Sequence, residues 1–203
     1  NRYLAMGIFL FGIIGNILNT LVLSQRQLRS NPCSWLFLVS SIFCLISLCS
    51  SLIPRFLSTW NTDITNTNDI LCKLRVFIYY NSMTIAFWLI ALATIDRWLS
   101  SSTTVNYRHK STLKNAKRGM LAIIIISTMI ETQQIFCYKA NLIHTPLKCY
   151  TKTVTCGILS DLTFALITVF VPLTLMFIFG LKIISNVRQT QARLRPIAAP
   201  IAD

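Results

Sequence analysis

The stretch CKLRVFIYYNSMTIAFWLIALATIDRW, residues 72–98, begins with a cysteine and ends with an Asp-Arg-Trp triplet. It carries no charge from Val76 to Ile95, and then two full charges stand side by side at Asp96 and Arg97. Cys72 and Arg97 are 25 positions apart, or about 37 Å of helix at 1.5 Å per residue, which is enough to cross a bilayer once. The stretch therefore predicts a transmembrane helix with Cys72 at one mouth and the triplet at the other.

The whole chain has the composition of a membrane protein. It has 203 residues, of which 54% are hydrophobic and only 12% are charged, and its mean hydropathy is +0.60. A soluble domain of this size carries far more surface charge. The apolar runs lack the strict alternation of a barrel strand, so we expect an all-α membrane protein with the N-terminus outside. The predicted helices are about 3–25, 33–57, 72–100, 117–139 and 157–187 in a bundle of residues 1–190, followed by a polar cytoplasmic tail or part of an inner loop at 191–203.

The positive charge is distributed as membrane topology requires. The net charge is +13, which by itself also suits a nucleic-acid partner. However, the linkers after helices one, three and five are basic and have no acidic residue before Asp203, whereas the opposite linkers carry Asp63 and Asp69. Short loops rich in Lys and Arg face the cytoplasm. The charge therefore indicates topology and attraction to anionic membrane lipid, and it argues against nucleic acid.

Several motifs accompany the helix-three pattern. Helix one contains Gly15-Asn16, a short basic turn LRSNPCS leads into helix two, and helix five contains Pro172 in VFVPLTLMFIFG. Together with Cys72 and the triplet, these features resemble the rhodopsin-like G-protein-coupled receptors, and the inner loop most resembles divergent invertebrate receptors near the FMRFamide-like peptide branch. The resemblance covers nearly the whole chain.

The resemblance implies a plasma-membrane, multi-pass receptor that acts on a heterotrimeric G protein. Asp96, Arg97 and Trp98 are then the coupling residues, with Asp96 restraining Arg97 in the resting state, and Asn16 and Pro172 serve helix packing. Three departures stand out. Cys44 lies where the family has a buried, sodium-binding Asp, helix four lacks the family's Trp, and the given sequence stops after the fifth of seven helices. Without that Asp, we expect Asn16 to bond a helix-two serine. The candidate serines are Ser40, Ser41 and Ser47.

The cysteines divide between helices and the outer face. Cys72, Cys149 and Cys156 map to the outer, oxidising side, and we expect a disulfide from Cys72 to the loop before helix five, with Cys149 favoured and Cys156 as the alternative. Cys44, Cys49 and Cys137 fall within the predicted helices, where a cysteine usually packs as a small side chain.

Two helical faces are candidates for binding an extracellular ligand, since such receptors bind between the outer halves of helices three and five. They consist of Arg75, Tyr79 and Met83 on helix three and Asp161, Phe164, Ala165 and Thr168 on helix five. Monoamine receptors would carry an Asp at position 79, whereas this mixture of charge and aromatic rings suits a peptide. The alternative is that these side chains only pack helix against helix.

Glu131, within helix four, leaves a second class of function open. Intramembrane carboxylates usually face the bundle and serve a function. A small transporter or proton relay that uses Asp96, Glu131 and Asp161 is therefore an alternative to a receptor. The simpler interpretation is a Glu131 that bonds Gln134 or a neighbouring helix. A third possibility is a truncated receptor fragment that does not signal. The two histidines lie in loops on opposite faces and no phosphate loop or nucleophile motif is present, so we expect no enzyme, no cofactor and no metal site.

Overall fold

The computed structural model describes residues 2–58, 68–141 and 149–194. These residues form long helices joined by short linkers, with one small hairpin. Helix one is Arg2–Leu23, helix two is Pro32–Ser58 and helix three is Asp69–Ser101; helix four is Leu113–Glu131 continued by Gln133–Cys137, and helix five is Val154–Thr163, Phe164–Phe170 and Val171–Leu194. Arg26–Arg29 and Val105–Arg108 form one-turn helices in the linkers.

Most of these helices have the length and composition of membrane spans. Within the described residues, four stretches qualify, namely Pro32–Ser51, Asp69–Ser101, Leu113–Cys137 and Val154–Ala192, and helix one contributes the shorter apolar segment Phe9–Leu23. Large apolar side chains point away from the bundle, including Phe11 and Phe177, which are 81% and 68% exposed. An outward-facing apolar surface is what a bundle needs in lipid. The prediction of an all-α membrane protein is therefore confirmed.

Helix three is the central element. It packs against helices two, four and five, whereas helix one packs against helix two. Leu36, Ile85, Leu89 and Ala93 form the core where helices two and three meet, and each is at most 1% exposed. Small residues allow close approach between helices: a Cβ at Gly119 would lie 2.9 Å from the Leu92 side chain.

The expectation for Asn16 is wrong. Its side-chain amide donates to the Gly12 carbonyl of its own helix at 2.8 Å. Ser40 instead donates to the Ala86 carbonyl at 3.1 Å, and Ser47 donates to the Met83 sulfur at 3.6 Å. Because the hydroxyls of Ser40 and Ser47 face helix three, the described side-chain bonds of these two serines join helix two to helix three and not to Asn16.

Helices three, four and five are longer or shorter than predicted at their ends. Helix three starts at Asp69, because Asn68 caps it by accepting from the Ile70 and Leu71 amides. Helix four starts at Leu113 after the capping residue Thr112 and ends at Cys137, not at 139. Helix five starts earlier, at Val154, and includes residues 191–194 of the predicted tail; residues 195–203 lie outside the described ones.

The end of helix four turns into a hairpin. Tyr138–Lys139 pairs antiparallel with Tyr150–Thr151, with Tyr138 opposite Thr151. Asn141 then takes a left-handed conformation with φ of 57°, which Asn tolerates better than most residues. The hairpin lies against the start of helix three, where the Ala140 amide donates to Asp69 Oδ1 at 3.0 Å. We call the end of the bundle that contains Cys72 and the hairpin the disulfide end, and the end that contains Arg97 the Arg97 end.

Helix five is wider in its middle. Phe164–Phe170 forms a π-helical segment that ends two residues before Pro172. Short π-helical segments within α-helices are often found at functional sites. Here the Trp88 indole donates to the Ile167 carbonyl at 3.1 Å, so helix three bonds the backbone of this segment.

Candidate functional site

Two disulfides lie at the disulfide end. Cys72 of helix three is bonded to Cys149, with their Cα atoms 5.8 Å apart, which is the pairing favoured from the sequence. Cys156, the alternative partner, is bonded to Cys137, with Cα atoms 5.4 Å apart. The interpretation of Cys137 as a packing residue is therefore wrong: helix four ends there, so its side chain reaches the start of helix five.

Aromatic rings fill the space between helices three, four and five below these disulfides. Tyr80 is the centre of the group: its ring centroid lies 5.1 Å from Tyr79, 5.7 Å from Phe164 and 6.4 Å from Tyr138. The hydroxyls of Tyr80 and Tyr138 are 3.4 Å apart. The pairs of Tyr80 with Tyr79 and with Phe164 are edge to face, an arrangement that packs favourably at these distances. Tyr80, which the sequence did not single out, thus connects two of the predicted ligand residues, Tyr79 and Phe164.

The other predicted ligand residues lie in different surroundings. Arg75 is half-buried and Asp161 is exposed. Met83 faces helix two, where its sulfur accepts from Ser47. Thr168 is fully buried, so in the described bundle it contacts neighbouring helices and presents no surface. The structure therefore brings Tyr79 and Phe164 together around Tyr80, and it places Met83 and Thr168 in contacts between helices.

A buried polar network joins helices three, four and five in mid-bundle. The Thr84 hydroxyl donates to Glu131 Oε1 at 2.7 Å, and the Gln134 amide donates to Glu131 Oε2 at 3.2 Å. Ser160 donates to Gln134 Oε1 at 3.0 Å, and the hydroxyls of Thr84 and Thr168 are 2.7 Å apart. All five side chains are at most 2% exposed. We call these residues the Glu131 network.

Hydrogen-bond donors converge on one carboxyl group in this network. Because the single hydroxyl hydrogen of Thr84 points to Glu131, Thr168 must be the donor to Thr84. Two relays therefore start on helix five, at Thr168 and Ser160, and both end at Glu131. This arrangement satisfies the buried carboxyl group and holds helix five at two points two turns apart. The simpler interpretation of Glu131 was a bond to Gln134 or to a neighbouring helix, and the structure shows both contacts.

At the Arg97 end, Asp96 and Arg97 point to different partners. Asp96 is 8% exposed and its Oδ1 accepts from the Ser111 hydroxyl, in the linker before helix four, at 2.8 Å. Arg97 is exposed and donates through Nε to the sulfur of Cys33 on helix two at 3.2 Å. Successive residues on a helix do not face each other. The expected restraint of Arg97 by Asp96 is absent among the described contacts, and Ser111 holds the carboxylate instead.

Trp98 packs helix three against helix five. Its ring centroid lies 5.1 Å from that of Phe179 and 5.5 Å from that of Tyr107, and the Lys182 amine lies 5.3 Å from the Trp98 ring. A cation over an indole face is a favourable contact. Trp98 thus fixes the end of helix three, beside the exposed Arg97.

Comparison with known proteins agrees with this architecture. The family description "7 transmembrane receptor (rhodopsin family)" matches residues 15–198, so the chain belongs to the rhodopsin family of seven-transmembrane receptors. It is also similar to the FMRFamide peptide receptor frpr-18 of Caenorhabditis elegans, with 25% identity over 138 residues. That match covers 65% of this chain and 32% of the relative, so the chain spans about a third of the relative's length.

Cys137, Thr84 and Ser111 were not identified from the sequence as residues of the site, although the number of cysteines could have indicated Cys137. Three cysteines on the outer side leave one without a partner, which could have directed attention to Cys137. Ser111 and Thr84 have no such signal, since serine and threonine are common in loops and helices. Within the described residues, no group of three or more His, Cys, Asp or Glu side chains is placed to hold a metal ion.

Proposed function

We propose that this protein is a plasma-membrane receptor that binds an extracellular peptide and activates a heterotrimeric G protein. Membership of the rhodopsin family supports a receptor in general terms. The peptide ligand and the G protein are the finer parts of the proposal. The disulfide end faces outward and the Arg97 end faces the cytoplasm.

The continuity of helix three carries the proposal. Over residues 69–101 one helix joins a disulfide-anchored outer mouth, an aromatic group around Tyr80, the Glu131 network and the exposed Arg97. A ligand that changes the packing of Tyr79 or Phe164 acts on the same rigid element that presents Arg97. Long-range coupling needs such an element with two arrangements that both ends can bias.

The orientation rests on the charges of the linkers. Arg29 and Lys117 both lie over the Trp35 indole, with the Arg29 Cζ and the Lys117 Nζ 5.4 and 5.2 Å from the ring centroid. This places basic residues and an aromatic ring together at the Arg97 end, as at a membrane interface facing the cytoplasm. The inner linkers carry Lys and Arg and no acidic residue before Asp203, which supports a cytoplasmic Arg97.

A peptide ligand is supported by the relative and by the outer residues. The similar worm protein is named for an FMRFamide peptide. The predicted ligand face joins aromatic rings, a cationic Arg75 and an exposed Asp161, which together offer stacking, charge pairing and hydrogen bonds. Rigid aromatic side chains are favoured anchors for peptide recognition.

The transporter alternative finds no support among the described contacts. Asp96 bonds Ser111, Glu131 lies in its own network, and Asp161 is exposed, so no described hydrogen bond leads from one carboxylate to the next. A proton relay needs such a chain of polar groups. The remaining alternative, a receptor fragment that does not signal, is separated from the proposal by experiment.

The test is expression of the full product of the gene in cultured cells, with a panel of amidated peptides ending in Arg-Phe and a G-protein dissociation readout. We expect at least one peptide to activate the receptor and Arg97→Ala to abolish the response at equal surface expression. Absence of a response to every peptide, with the receptor at the surface, would favour the non-signalling fragment.

A further inference from the structure

An open cleft at the disulfide end is lined by three lysines and one aspartate. Its volume is about 460 Å³, and its lining residues are Asp69, Lys73, Lys139 and Lys152. Asp69 and Lys73 lie at the start of helix three. Lys139 lies in the first strand of the hairpin, and Lys152 directly follows the second strand. We call this feature the lysine cleft, and it lies where helix three meets the hairpin.

The one carboxylate of the lysine cleft is already bonded. Asp69 forms an ion pair with Lys73 through Oδ2, and its Oδ1 accepts from the Ala140 amide at 3.0 Å. Lys139 and Lys152 are exposed, and among the described residues no carboxylate lies within ion-pair distance of either amine. Three lysines and one aspartate leave the cleft with two positive charges in excess, and these belong to Lys139 and Lys152.

The fold holds these two cations on the same side of the hairpin. The Lys152 amide donates to the Cys137 carbonyl at 2.9 Å, one step beyond the pair of Tyr138 and Thr151. Alternate residues of paired strands share a face, so Lys139 and Lys152 lie diagonally across the hairpin on one face. The two disulfides of this end anchor the hairpin to helices three and five. Like charges held in this way repel each other, and an anion from outside relieves the repulsion.

Helix three leads from the lysine cleft to the aromatic group. Lys73 and Tyr80 are seven positions apart in this helix, which places them on one face and about 10 Å apart along its axis. The Tyr80 ring at the centre of the aromatic group is half-buried. Because an extended peptide spans about 3.3–3.6 Å per residue, about three residues of a ligand bridge this distance. A cleft lined by one sign of charge also concentrates ligands of the opposite sign.

We propose that the lysine cleft binds the carboxylate of an acidic residue in the peptide ligand, about three positions before a terminal aromatic residue that packs at Tyr80. This rests on the proposed function and names the class of peptide. The amines of Lys139 and Lys152 donate charge-assisted hydrogen bonds to the carboxylate, while Lys73 stays with Asp69. Two unpaired amines match the two oxygens of one carboxylate, whereas a long polyanion is bound by many cations along a stripe.

The first experiment is a positional scan that measures binding and not signalling. The full receptor in phosphatidylcholine nanodiscs is titrated with fluorescent amidated peptides ending in Arg-Phe, in which each position from two to five before the Phe is in turn Asp, Asn or Lys. We expect Asp three positions before the Phe to bind about ten-fold more tightly than Asn, the size of one charge-assisted bond, and Lys to bind more weakly. The gain should shrink as salt is added.

The outcomes of the scan separate the lysine cleft from the proposed function. Equal affinities for Asp and Asn at every position, or no binding anywhere in the scan, overturn the cleft as a carboxylate site. Activation of a G protein without a preference for Asp retains the proposed function and removes the cleft. A preference for Asp without activation retains the cleft and removes the signalling part of the proposed function.

The second experiment exchanges the charges of the lysine cleft. Lys139→Gln combined with Lys152→Gln should remove the preference for Asp, and Lys139→Glu combined with Lys152→Glu should make the Lys peptide the tighter ligand. The control is Lys114→Gln combined with Arg118→Gln, which removes the same charge from exposed positions at the Arg97 end and should leave the preference unchanged. A preference for Asp that survives in the double Gln variant, or no reversal in the double Glu variant, overturns the proposal. Tight binding of heparin by a wild type that shows no preference for Asp would also overturn it, and would assign the cleft to a sulfated polysaccharide.

Discussion

Thr84 on helix three and Thr168 on helix five are hydrogen-bonded to each other, 2.7 Å apart and fully buried, and Thr84 in turn donates to Glu131. Thr168 lies in the π-helical segment just before Pro172. The register between helices three and five is therefore set by polar groups as well as by apolar packing. In the membrane such bonds have moderate strength, but their loss leaves polar groups that water cannot reach.

Replacing Glu131 with leucine should destabilise the bundle more than replacing it with glutamine. Leucine removes the acceptor of the buried Gln134 amide and the helix-four partner of Thr84, at a cost of about 1–3 kcal/mol for each buried group left without a partner. Glutamine keeps one acceptor for Gln134 and offers a donor to Thr84, whose hydroxyl can turn. Thermal denaturation in detergent micelles measures the difference. The control is Met129→Leu, at a site that is 72% exposed on the same helix; a Glu131→Leu protein as stable as this control would contradict the role of the network.

The two disulfides should behave as separate units. Non-reducing peptide mapping of surface-expressed protein should recover Cys72 linked to Cys149 and Cys137 linked to Cys156. In Cys137→Ser the Cys72–Cys149 disulfide should persist, because the two disulfides share no cysteine. Recovery of Cys72 linked to Cys156 in the wild type would show that the hairpin is assembled differently.

The sequence was sufficient to predict the fold class, because a helix that crosses the bilayer needs a long apolar run. For helix three, the spacing of 25 residues between Cys72 and Arg97 already gave the length of the span. The end of helix four was predicted less well. Tyr138 and Lys139 are less apolar than the helix before them, which is a weak sign that the helix ends. Their pairing with Tyr150 and Thr151 is what shows that they form a strand. Such pairing depends on residues that lie far apart in the sequence.

Contacts between helices were the least predictable part of the site. Glu131 was identifiable because a carboxylate in an apolar run is rare. Its partners Thr84, Ser160 and Gln134 are common residues whose significance depends on the rotation of three helices about their axes. The same holds for Asp96: adjacency suggested Arg97 as its partner, whereas the fold brings Ser111 within 2.8 Å.

The ligand proposal predicts different results for surface and buried positions. If a peptide agonist binds the full receptor, Tyr79→Ala and Asp161→Ala should lower its potency at unchanged surface expression. Tyr79 packs against Tyr80 in the aromatic group, and Asp161 is an exposed charge. Thr168→Ala should mainly lower thermal stability, since Thr168 is buried and bonded to Thr84. Radioligand or fluorescent-peptide binding separates the two effects. Unchanged potency in both surface variants would place the binding site elsewhere.

The coupling proposal predicts opposite effects for two neighbouring residues. Asp96→Asn keeps an oxygen that can accept from Ser111, but it removes the charge that can capture Arg97. A resting state in which Asp96 turns from Ser111 to Arg97, as the family resemblance implies, then loses a charge-assisted bond of about 1.5–3 kcal/mol. This loss can raise ligand-independent activation about ten-fold or more in a two-state receptor. Arg97→Ala removes the exposed cation itself and should abolish activation. G-protein dissociation in cells, normalised to surface expression, measures both. If Arg97→Ala signalled normally, Asp96 and Arg97 would only mark the interfacial end of helix three.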